Sequence, residues 1–106
     1  MSKIAIDFDG TICDRKGIPR KDDYMADKPT KDALEAVWWL FKQGFEPYIL
    51  TNRRITQWPG IRYWLFMNGF PSLKITNRKL PKTTMYIDDR AIRFENNWQS
   101  ICKMLG

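Results

Sequence analysis

The sequence predicts an α/β fold: a small, Rossmann-like, three-layer α/β/α sandwich built on a mainly parallel sheet. Three observations lead there. Short apolar stretches alternate along the chain with stretches whose apolar residues recur at helical spacing, which implies right-handed crossovers and a sheet covered on both faces. The helical stretches stop at glycines, Gly44 and Gly69. Strand-like stretches run straight into polar residues (Asp7 and Asp9, Thr51 and Asn52, Asp88 and Asp89), at the ends where open α/β sheets bind ligands.

In chain order, residues 3–8 read as a short buried strand closed by Gly10. Residues 10–28 are polar and broken by Gly17 and Pro19, so a loop or small hairpin flap is expected. Thr30 is the expected N-cap of a first helix whose apolar positions are Leu34, Val37, Trp38 and Phe41. Residues 45–50 are the next strand. Its Pro47 must lie near the start or on an exposed edge, because proline has no N–H for the ladder. Trp58-Pro59-Gly60 punctuates the stretch after Thr51-Asn52-Arg53-Arg54, and Ile61, Trp64 and Leu65 then mark a second helix. Residues 73–76 and 85–87 are brief strands, and Phe94, Trp98, Ile101, Cys102 and Leu105 mark a final helix. Trp38, Trp64 and Trp98 are expected in the core, with Trp39 and Trp58 freer to be exposed. Nothing reads as a linker or a repeat, so residues 1–106 are a single domain.

Composition removes several function classes. Hydrophobic residues make up 43% and aromatics 14%, enough for a real core. No apolar run approaches the ~20 residues of a membrane span, and the start has no signal-peptide h-region. Cys13 and Cys102 are too far apart for a metal-type pair and read as reduced thiols in a cytoplasmic protein. Histidine is absent, which excludes Ser-His and Cys-His nucleophiles and histidine metal sites. The net charge of +6 favours anionic partners.

What remains is carboxylate chemistry. Four aspartates at strand ends, Asp7, Asp9, Asp88 and Asp89, make a hard, oxygen-rich site suited to Mg²⁺. Like charges so close are tolerable if a cation neutralises one and another takes a proton. Asp7 and Asp9 share one side of an extended strand, and Gly10 permits the turn that brings the second over the first.

Asp7-Phe8-Asp9-Gly10-Thr11 resembles the first motif of the haloacid dehalogenase (HAD) superfamily of Mg²⁺-dependent aspartyl phosphotransferases. Thr51 resembles the second motif and Ile87-Asp88-Asp89-Arg90 the fourth, in the right order over nearly the whole chain. The resemblance implies a Mg²⁺-dependent phosphatase. Asp7 is then the nucleophile, Asp9 the general acid and base, and Thr51 a hydrogen-bond donor to the phosphoryl group. Mg²⁺ is implied to lie between Asp7, the carbonyl of Asp9, and Asp88 or Asp89. The charge-balancing lysine of the third motif is Lys79 or Lys82. Gly10, Thr11, Asn52, Arg53 and Arg54 are the candidate substrate-binding residues, with the arginines expected on the rim to clamp a second anionic group.

Gaps between the motifs are too short for an inserted cap domain, so a minimal, capless member is expected. Its substrate is a phosphorylated small molecule or macromolecule, nucleic-acid ends included, and no membrane is involved. Two other readings stay open: a non-catalytic phosphate-binding or scaffold module, and a small-metabolite phosphatase capped by a partner subunit in an oligomer.

Overall fold

The computed structural model describes residues 2–15, 24–25, 27–88, 98–99 and 102. Lys3–Ile6 forms β1, and Ile4, Ala5 and Ile6 have no exposed surface. A strand whose side chains beyond the first, Lys3, are all enclosed lies inside the sheet with both faces covered. The other elements are α1 (Ala33–Lys42), β2 (Glu46–Leu50), a 3₁₀ turn (Ile55–Gln57), α2 (Trp58–Met67), β3 (Ile75–Thr76) and β4 (Thr83–Ile87). The four strands are all parallel in the order β3-β2-β1-β4. This is the small Rossmann-like α/β fold that the alternation predicts.

The register decides what meets at the functional end. Ile6 is level with Ile49 of β2 and with Ile87 of β4. The residues that follow β1 and β4, Asp7 and Asp88, therefore emerge side by side, and the Asp7 N–H donates to the Ile87 carbonyl at 3.1 Å. Pro47 is the second residue of β2, an interior strand. Ile49 and Thr51 direct their N–H groups at Lys74 and Thr76 of the β3 segment. Alternation puts the N–H that Pro47 lacks on that same side, before β3 begins, so no ladder bond is lost.

Several local expectations need correction. The first strand ends at Ile6, two residues early, because Phe8 turns into the core instead of continuing the ladder. There it meets Tyr24 and Trp64 edge-on, with ring centroids 5.3 and 5.2 Å away. Thr30 does not cap α1. Its hydroxyl donates to the Thr11 carbonyl at 2.7 Å and accepts the Trp98 indole N–H at 3.1 Å, and Asp32, at φ 64°, precedes the first helical residue. The buried stripe of α1 is Ala33, Ala36, Val37 and Leu40, one position along the helix from the predicted one, so Phe41 is 49% exposed. Trp38 is half-buried, held by its N–H bond to the Gly69 carbonyl at 2.8 Å. Trp58-Pro59-Gly60 does not break the chain but is the first turn of α2, where proline's missing N–H has no helical partner to lose. Gly44 and Gly69 stop their helices at φ 93° and 83°, as predicted.

Residues 10–28 are not a solvated flap where they are described. Thr30 N–H to Ile12 carbonyl and Asp14 N–H to Lys28 carbonyl bonds form the base of a hairpin, and Ile12, Cys13 and Tyr24 are core residues. Of the final helix only Trp98, Gln99 and Cys102 are described; Trp98 is fully enclosed, and Phe94, Ile101 and Leu105 lie outside the described residues. Trp64 is in the core as expected. Among the described residues, no element forms a separate cap domain, and no helix is long and apolar enough to cross a membrane.

Candidate active site

The loop after β1 is wound tightly around one carbonyl. Phe8 O accepts the N–H groups of Thr11, Ile12 and Cys13 at 3.3, 3.1 and 3.0 Å, and the Gly10 N–H donates to Cys13 O at 2.9 Å. Gly10 sits at φ +79° with open space where a Cβ would stand, so the backbone angle, not crowding, requires glycine. Asp7 stands directly after β1 and Asp9 lies within the turn that follows. One Asp7 carboxylate oxygen accepts the Phe8 N–H at 2.9 Å. Asp88, 3% exposed, stands beside it at the end of β4. Thr51, buried at the end of β2, accepts the Arg53 N–H on its hydroxyl at 3.1 Å.

Asp9 is the most heavily engaged group. Arg53 donates from Nε to Oδ2 and from Nη2 to Oδ1, each at 2.8 Å, a bidentate fork. Arg53 is 4% exposed, and its guanidinium lies over the Tyr24 ring at 4.6 Å. It is therefore not the solvated rim residue expected from sequence. The fork matches a carboxylate, and Tyr24 supplies a flat floor for it. Gly60 makes room for that floor, since a Cβ there would come within 2.7 Å of the Tyr24 hydroxyl.

A second buried arginine was not foreseen. Arg15 brings Nε within 3.9 Å of Asp9 Oδ1 and Nη1 within 2.9 Å of Asp27 Oδ2. Neither Arg15, Asp27 nor Tyr24 stands in a motif, and only the isolated aromatic in a polar stretch hinted at anchoring. The chain's acidic and basic groups thus interlock around the first motif. Cys13, enclosed beneath them, has its thiol pushed up to about 12, by burial first and then by the Asp27 carboxylate. Burial also raises Tyr24, against the pull of Arg53.

The predicted lysines are not brought to this place. Lys82 accepts the Lys3 N–H on its carbonyl at 3.1 Å, at the opposite end of the sheet from Asp7. Lys79 is exposed beside Leu80, which bonds the Tyr48 hydroxyl and shares a groove with Lys3 and Glu46 at that far end. The reason is topological. A chain leaving β3 must return to the N-terminal edge before a parallel β4 can start, so residues just before β4 stand at the wrong end. Asn52 and Arg54 are exposed near the site, whereas Thr11 is buried with its carbonyl bound to Thr30. Asp89 lies outside the described residues.

No family model matches the chain, and no curated protein matches it. Two solved structures resemble it. A conserved protein from Bacteroides thetaiotaomicron superposes with a TM-score of 0.72 at 23% identity, over 97% of this chain and 88% of that one. A Vibrio cholerae protein gives 0.54 at 22% identity over the full length of both. At these identities the likeness establishes the fold alone, and neither protein is named for an activity.

Among the described residues, no three acidic or thiol side chains gather around one ion position. The donor set is nonetheless compatible with Mg²⁺, which keeps several waters and needs only one or two carboxylates besides a substrate phosphate. Asp7 and Asp88, on adjacent strands, supply two. The Asp9 carboxylate, filled by Arg53, leaves only its backbone carbonyl for that purpose.

Proposed function

We propose that this chain is a Mg²⁺-dependent phosphomonoester hydrolase of the HAD type, working in a reducing compartment through an aspartyl-phosphate on Asp7. The observation that carries this is the parallel register, which sets Asp7 beside Asp88 with Asp9 on the tight turn above and Thr51 on the next strand. An Asp7 oxygen attacks phosphorus and the bond to the leaving oxygen breaks. Asp9 supplies the proton that the leaving oxygen takes. Water then attacks the same phosphorus while Asp9 takes its proton back, releasing phosphate and restoring Asp7. Held by Asp7, Asp88 and the Asp9 carbonyl, Mg²⁺ would shield the nucleophile from the phosphate's charge.

Arg53 adds a condition to this cycle. A protonated carboxyl is neutral and turns one oxygen into a donor, which weakens the charge-assisted fork. When Asp9 carries its proton the fork loosens, and an N–H of Arg53 becomes available to a substrate phosphoryl oxygen. The arginine then does the charge balancing that the distant lysines do not.

The same fork favours a second reading, a phosphate-binding module without turnover, in which Asp9 stays locked. One experiment separates them. Hydrolysis of an aryl phosphate is measured with Mg²⁺ and with a chelator, and the acyl-phosphate is trapped by acid quench. Mg²⁺-dependent turnover with label on Asp7 supports the hydrolase; phosphate binding with no turnover supports the module.

A further inference from the structure

Beside the site lies a groove of about 700 Å³ between α2 and the segment leading to β3, lined by Ile55, Trp58, Tyr63, Phe66 and Leu73 among others, with Arg62 as its single charged residue. Tyr63 is 57% exposed and Phe66 76%. Trp58, at the groove's upper end, donates its indole N–H to the Arg53 carbonyl at 3.1 Å, so the groove begins where the Asp9 clamp ends. It then follows α2 for about 15 Å.

The groove's lining holds no acidic residue. Residues 47–87 contain seven of the eighteen Lys and Arg and none of the twelve Asp and Glu. The remaining chain, with eleven basic and twelve acidic residues, is nearly neutral. Lys79 and Lys82 stand at the far end of the sheet, Lys74 lines another groove and Arg53 is paired with Asp9, so the cations at the α2 groove are Arg62 in its lining and the exposed Arg54, next in the chain to the lining residue Ile55. A surface both aromatic and free of acidic groups suits a ligand with flat apolar faces and a chain of negative charges.

Building on the phosphatase reading, we infer that the α2 groove is a single-stranded nucleic-acid site that leads a terminal phosphate to Asp7. Bases stack on Tyr63, Phe66 and the edge of Trp58, a mode that tolerates any base. Backbone phosphates meet Arg54 and Arg62. A single strand can turn its bases onto a groove wall, which a duplex cannot. An uncapped site also needs something to exclude water, and the strand itself covers it.

The test is fluorescence anisotropy with a labelled single-stranded octanucleotide carrying a terminal phosphate, at low and moderate salt. Expected are binding that weakens with salt, at a log–log slope of about −0.7 per phosphate neutralised, and at least tenfold weaker binding to Tyr63→Ala/Phe66→Ala with an unchanged melting temperature. Duplex of the same length and poly-glutamate of the same charge should bind at least tenfold more weakly. Equal binding of duplex or poly-glutamate overturns the inference in favour of plain charge attraction. No binding, together with self-association in sedimentation that the double variant abolishes, overturns it in favour of a second copy on this face. Aryl phosphate hydrolysis by the unaltered protein is scored separately: its loss removes the phosphatase reading, and loss of octanucleotide binding alone removes only the groove.

Discussion

The loop after β1 and the outer face of α2 treat the same residue types in opposite ways. In the loop, charge is inside: Asp9, Arg53, Arg15 and Asp27 are paired at distances down to 2.8 Å, with Phe8, Tyr24 and Trp64 packed beneath them. On α2, the aromatic side chains Tyr63 and Phe66 face outward, and the charges around them have one sign. A buried pair of opposite charges satisfies itself and shapes a site. An exposed aromatic and a solvated basic charge are left available to a ligand. On the proposed reading the first region serves chemistry within the chain and the second recognition beyond it.

The comparison breaks most sharply at Asp7. Asp7→Asn keeps the side chain's size and the bond that a side-chain oxygen accepts from Phe8, but removes the attacking charge. Turnover of aryl phosphate should fall by at least about a thousandfold, with an unchanged melting curve and unchanged octanucleotide binding. Residual turnover near that of the unaltered protein would remove Asp7 from the nucleophile's place.

Matched aromatic truncations test the packing half. Phe8, fully enclosed, should cost about 3–5 kcal/mol as Phe8→Ala. Phe66→Ala should stay within about 0.5 kcal/mol, because little of that ring is removed from water. Urea unfolding of both variants measures the contrast, and similar losses would mean that the α2 face is covered within the folded monomer.

Arg53→Ala breaks the clamp from one side. Loss of a buried partner costs about 3–5 kcal/mol when the remaining charge is enclosed. Asp9 keeps some exposure and the nearby Arg15, so about 2 kcal/mol is expected. Asp9→Asn/Arg53→Ala should cost less than the sum of its single variants, as coupled pairs do. Additive losses would show that the fork is not energetically coupled.

The sequence made the sheet and the Asp7, Asp9 and Asp88 strand ends legible because each strand and its terminal aspartates are continuous in the chain. What it hid depends on contacts across the fold. Arg53 reads as a rim residue since its partner, Asp9, is 44 residues away. Arg15 and Asp27 sit in a polar stretch that looks solvated until the hairpin base pulls it inward. The lysines were misplaced because distance from Asp88 along the chain says nothing of which end of a parallel sheet a residue occupies. Even the apolar stripe of α1 slipped by one position, since Phe41 and Leu40 are equally hydrophobic and only the packing chooses between them.

The last expected effect lies under the loop, at Cys13. Its thiol is pushed up to about 12 by burial and by the Asp27 carboxylate. The ordinary value is 9.0, so between these limits the folded protein keeps a proton that the unfolded chain has lost. Unfolding then releases a proton, and stability must fall as pH rises across that window, by up to about 1.4 kcal/mol per unit. Below pH 9 the thiol is neutral in both states and contributes no slope. Lysines and tyrosines titrate in the same range, so the measurement is a difference: urea midpoints of the unaltered protein and of Cys13→Ala, taken from pH 8 to 11. The variant should start less stable, through loss of a buried sulfur, and decline less steeply, so that the two curves converge. Parallel curves would mean that Cys13 ionises as readily folded as unfolded, which its enclosure beneath Asp9 and Asp27 does not allow.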